Sequence, residues 1–97
     1  MYKIVFTKQS LKDLDKLKVQ NISKKAKALV DIIRENPYQN SPRYEKLVGK
    51  LDGILSRRIN IQHRLVYQVY ESQFDEDGVK YDGTVKVIRM WTHYDDV

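Results

Sequence analysis

The chain contains no cysteine. That excludes disulfide bridges, thiolate metal sites and cysteine nucleophiles. Only two prolines and four glycines occur in 97 residues. No low-complexity tract, internal repeat or domain linker interrupts them, so one domain over residues 1–97 is expected. Phosphate-cradling glycine loops, HExxH and GxSxG are missing as well. The two histidines, His63 and His93, lie far apart in sequence, and nothing in their spacing demands a metal. No apolar run approaches membrane-spanning length. The opening Met1 to Phe6 is too short, and charged too early at Lys3, for a secretory leader. A soluble, cytoplasmic protein with no metal, cofactor or membrane partner is the expectation.

Charge is what the chain does have. Eighteen Lys and Arg against thirteen Asp and Glu leave a net +5. That moderate basic excess favours polyanions, through phosphate neutralisation and counterion release. Many small soluble domains are equally basic, so charge alone leaves nucleic-acid contact open.

Hydrophobic periodicity orders the elements. Residues 2–6 alternate β-formers and read as a strand. Thr7 is a candidate N-cap for a helix to about Lys16, with Leu11 and Leu14 as its apolar stripe and Lys and Asp facing water. Ile22, Ala26, Leu29, Val30 and Ile33 fall at i, i+4, i+7, i+8 and i+11, one face of a second helix. Asn36-Pro37 ends it. Residues 37–49 read as an irregular loop. From Gly53 the period becomes two, predicting strands over 54–61, 64–70 and 85–92. Asp77-Gly78 and Asp82-Gly83 mark turns between the last two. The expected fold is α+β in the order β-α-α-β-β-β. Two N-terminal helices would pack on a mostly antiparallel four-stranded sheet.

The polar residues fit one kind of chemistry. Cleaving RNA by internal attack needs a base for the 2′-OH, a cation for the pentavalent phosphorane and an acid for the departing 5′-oxygen. Glu45, the arginines 57, 58 and 64, and His93 are candidates. Alternation places Arg58 with Ser56 and Asn60, and Arg57 with Ile59 and Ile61, which favours Arg58 for the polar side. Arginine suits the role, because its permanent charge and planar fork bind two oxygens at once. The plainer alternatives are surface arginines covering a sheet edge, a solvated loop carboxylate and an exposed terminal histidine. Trp91 and Tyr94 offer base-stacking surfaces, although a strand aromatic is more often core. Composition and periodicity alone stop at a small basic α+β domain.

A family resemblance goes further. Ser56-Arg57-Arg58-Ile59 followed by His63-Arg64-Leu65-Val66-Tyr67 resembles the central strands of the YoeB/Txe branch of the RelE toxin superfamily. Tyr44-Glu45-Lys46-Leu47, Leu51-Asp52-Gly53, Ile4-Val5-Phe6-Thr7, Asn36-Pro37 and the late His93-Tyr94 fit the same pattern, so the likeness spans nearly the whole chain. It implies a RelE-like fold and the toxin of a toxin–antitoxin pair, which cuts mRNA in the ribosomal A site without a metal. Carried over by position, Glu45 is the general base, Arg64 the phosphate-stabilising cation and His93 the general acid. Arg58 and Tyr94 become substrate contacts. The family's lysine after the conserved leucine is Val48 here, which leaves Lys46 or Lys50 to serve as the further phosphate contact. Expected partners are a cognate antitoxin, the ribosome with its mRNA, and operator DNA through the antitoxin complex; a homodimer stays open. Two further departures are the long, acidic segment 71–83 and the tail Asp95-Asp96-Val97. Against this ribonuclease stand a non-catalytic RNA- or antitoxin-binding module on the same fold, and a nuclease acting on free RNA.

Overall fold

The computed structural model describes residues 1–47 and 53–91. Strand β1 (Tyr2–Phe6) leads into helix α1 (Lys8–Val19), followed by helix α2 (Ser23–Glu35). Thr7 caps α1: its hydroxyl accepts from the Ser10 N–H at 3.0 Å and donates to the Ile88 carbonyl at 2.9 Å. The cap therefore fastens the helix start to the strand that pairs with β1. Lys16 and Lys18 in the last turn complement the helix dipole. The turn between the helices is a Schellman motif. Asn21 takes a positive φ of 59°. Its N–H bonds Lys18 and that of Ile22 bonds Leu17.

The buried face of α2 is the one its periodicity predicts: Ala26, Leu29, Val30 and Ile33. Its last turn closes with the Asn36 N–H on Ile32, and Pro37 follows. The face of α1 is only partly as expected, with Leu14 packed against the core. Leu11 is half exposed, and the buried positions are Ser10, Asp13 and Leu17. Asp13 is fully buried rather than solvated, because Arg89 reaches it from the sheet.

Further along lie β2 (Tyr44–Lys46), β3 (Ile54–Arg58), β4 (Arg64–Tyr70), β5 (Phe74–Glu76), β6 (Val79–Tyr81) and β7 (Gly83–Arg89). Among the described residues the sheet has five strands in the order β1-β7-β4-β3-β2. Only the β1–β7 pair is parallel, so the sheet is mostly antiparallel, as expected. The two helices connect β1 at one edge to β2 at the other. The four-stranded expectation misses β2, a three-residue edge strand inside the segment read as a loop. β3 and β7 also stop earlier than predicted. Asn60 turns the chain after β3, its side chain accepting from the Gln62 and His63 N–H groups at 2.9 and 2.7 Å. The acidic segment 71–83 folds back as the β5–β6 hairpin. Asp77 and Gly78 form its turn, both at positive φ, and Phe74 stacks on Tyr81 at 5.0 Å. Gly83 begins β7 where a Cβ would sit 2.1 Å from the Tyr70 carbonyl oxygen.

Leu17, Ala26, Leu29, Val30 and Ile33 of the helices meet Leu55, Leu65, Tyr67, Val85 and Val87 of the sheet in one core. Alternation within each strand then leaves the other sheet face free of helices.

Candidate functional site

The helix-free face carries a cleft of about 630 Å³, lined by Arg43, Glu45, Ser56, Arg58, Asn60, Ile61 and Arg64 among others. Strand pairing assembles it. Glu45 sits opposite Ser56, Ser56 opposite Val66, and Arg58 opposite Arg64. Directly paired side chains lie about 5 Å apart at Cβ, and like charges so placed repel. Two arginines are therefore held together on one wall with Glu45 nearby. Among the described residues no carboxylate forms an ion pair with Arg43, Arg58 or Arg64. Arg64 is half-buried and steadied by the β3–β4 turn, where it donates to the Asn60 and His63 carbonyls at 3.2 Å each. Arg58 is exposed. Such a site suits an anion that brings its own charge and offers several oxygens.

The adjacent Arg57 faces the other way and is 1% exposed. It donates to the Tyr67 hydroxyl and the Pro37 carbonyl at 3.0 Å each, and to the Pro42 carbonyl. Burial pushes the Tyr67 hydroxyl pKa up, against the opposing pull of Arg57. The phenol stays protonated and donates to Pro37 at 2.7 Å.

Glu45, Arg58 and Arg64 are thus brought together. Lys46 is not: it lines a separate cavity with Tyr38, Leu55 and Val69, because alternation along β2 turns it away from Glu45. Lys50, Val48, His93, Tyr94 and the Asp95-Asp96-Val97 tail lie outside the described residues. Trp91 packs rather than projects. It stacks on the buried His63 at 4.1 Å, and the Lys16 ammonium lies 5.3 Å from its ring centre. His63 Nδ1 contacts the Trp91 carbonyl.

Sequence reasoning missed Arg43 and Ile61. Arg43 stands two positions before Glu45, a same-face signal only once β2 is known to be a strand. Ile61 was expected on the apolar face of a longer strand; on the turn it is 86% exposed at the cleft. No group of three or more metal-ligating side chains converges among the described residues. No helix there is long and apolar enough to cross a membrane.

The chain is similar to several known proteins. The YoeB/ParE toxin from Agrobacterium tumefaciens is 28% identical, with a TM-score of 0.78 over 95% of this chain and 99% of that one. A chain of the YoeB–YefM complex from Staphylococcus aureus is 30% identical, with a TM-score of 0.70 over 97% and 99%. YafQ from Escherichia coli, 17% identical with a TM-score of 0.72 over 96% and 94%, shares the fold. No curated protein matches the chain. The model of a family described as the YoeB-like toxin of bacterial type II toxin–antitoxin systems matches residues 6–94, which take in both helices and every strand of the cleft. The chain belongs to that family.

Proposed function

We propose that this toxin is a ribosome-dependent endoribonuclease that enters the A site and cuts mRNA, so stopping translation. The observation that carries this reading is that Glu45, Arg58 and Arg64 line the same cleft. Glu45 takes the proton of the 2′-OH. That oxygen attacks the adjacent phosphorus, and Arg64, supported by Arg58, stabilises the charge that builds on the phosphorane oxygens. His93 protonates the departing 5′-oxygen, and Tyr94 contacts the substrate. The products are a 2′,3′-cyclic phosphate or its 3′-phosphate, and a 5′-hydroxyl. No step in this scheme calls for a metal. Arg43 joins the two cleft arginines as a further phosphate contact, where Lys46 points elsewhere.

Its inhibitor is a cognate antitoxin, as a similar toxin is found in complex with YefM. The antitoxin covers the basic cleft, and the complex binds its operator through the antitoxin. The site of action is the cytoplasm, with the ribosomes.

Purified ribosomes programmed with a defined mRNA provide the test. Wild-type protein should yield discrete cuts, and Glu45→Ala should abolish them while the fold is retained. Tight RNA binding with uncut mRNA would instead favour the non-catalytic module. Equal cutting of free RNA would remove the ribosome from the scheme.

A further inference from the structure

Arg57 is an unusual core residue. The residues two before and two after it, Leu55 and Ile59, are aliphatic and buried. A cation in that position is costly unless its donors are satisfied. No carboxylate pairs with it among the described residues. Its fork points instead at the carbonyls of Pro37 and Pro42 and at the Tyr67 hydroxyl, while its guanidinium carbon lies 5.1 Å from the Tyr44 ring centre. These partners have a common property. Pro37 and Pro42 bracket the irregular segment after α2, Arg43 follows Pro42, and Tyr44 immediately precedes Glu45. Arg57 also pairs directly with Tyr44 across β2 and β3. One buried side chain therefore fastens both ends of the segment that delivers Arg43 and Glu45 to the cleft, from the opposite face of the sheet.

We propose that Arg57 is the positioning residue of the cleft, setting the placement of Glu45 and Arg43 against Arg58 and Arg64 without touching substrate. The proposal rests on the ribonuclease reading of that cleft. A lysine cannot replace it, because one ammonium on a flexible stem does not reproduce three donors held in a plane. Displacing a catalytic group by about 1 Å can cost about 10²-fold in rate.

The full-length protein is tested as Arg57→Lys and as Tyr67→Phe, which removes only one hydroxyl from the same arrangement. Steady-state cleavage on programmed ribosomes gives kcat and KM, and amide hydrogen exchange reports the segment directly. Arg57→Lys should lower kcat by about 10²-fold with KM within about threefold. Exchange should accelerate over residues 38–45 and stay unchanged in β4 and β7. Tyr67→Phe should show the same pattern more weakly. Wild-type kcat in either folded variant overturns the proposal, as does exchange that rises uniformly across the sheet. If Arg57→Lys does not fold, Tyr67→Phe decides on the same criteria. Wild-type protein that leaves mRNA uncut would overturn the ribonuclease reading instead, and exchange over residues 38–45 would still decide what Arg57 holds.

Discussion

The two faces of the sheet use arginine in opposite ways. On the helix face the arginines are engaged by partners within the protein. Arg57 is spent on two backbone carbonyls and a phenol, and Arg89 donates to the buried Asp13 at 2.8 Å. On the cleft face, Arg43, Arg58 and Arg64 form no ion pair among the described residues, and two of them stand directly opposite each other. The difference separates a structural cation from an available one better than residue type does. A buried arginine has to be satisfied within the fold, or it destabilises it. Arginines in a cleft can wait for a ligand, at a modest repulsive cost in stability.

If the comparison holds, substitutions on the cleft face should remove activity and spare stability, and those that unpair a buried charge on the helix face should cost stability. The largest effect is expected from Glu45→Ala, which should lower mRNA cleavage by about 10²–10⁴-fold, the usual contribution of a general base. Its urea midpoint should stay close to wild type.

Next is Asp13→Asn. Burial pushes the Asp13 carboxyl up, but hydrogen bonds from Arg89, the Met90 N–H and Gln9 outweigh it and hold its pKa below the usual carboxylate value. An unfolded chain binds this proton near pH 4, and the folded chain only at lower pH. The resulting stability is fully present above about pH 4 and fades as pH falls through the folded value. Asp13→Asn should cost about 3 kcal/mol at neutral pH, as losing one partner of a buried pair does. It should also flatten the acid limb of the stability profile measured by urea unfolding. An unchanged acid limb would dissolve the contrast between the faces.

Thr7→Ala should cost about 1 kcal/mol in the same assay, for the lost cap of α1, with cleavage intact. The smallest effect belongs to Arg43→Ala. It should weaken binding to single-stranded RNA and reduce the slope of log affinity against log salt by about 1, as the loss of one phosphate contact does. An unaltered slope would take Arg43 out of the cleft's working set.

Much of the scaffold was legible residue by residue. The apolar positions of α2, the Thr7 cap and the alternation of Arg64 to Tyr70 each depend on nearest neighbours along the chain, so a local pattern carries them. Alternation also separated Arg57 from Arg58 correctly. The failures share a physical cause. β2 has three residues, too few for a period, and exists because the edge of β3 offers unpaired backbone groups. Asp13 reads as solvent-facing because its partner lies on the last strand. Lys46 reads, with Lys50, as a candidate phosphate contact, and only pairing fixes the face it takes.

By itself, then, the sequence determined the helices, the main strands, the basic charge and, through the Ser56 to Tyr67 block, the family. The tertiary structure decided which charges are occupied. Only the packing of α1 on β7 buries Asp13 against Arg89, and only the pairing of β2 with β3 turns Glu45 and Arg43 toward Arg58 and Arg64. Burial and satisfaction of a charge are set by residues distant in the chain, and no local pattern contains them.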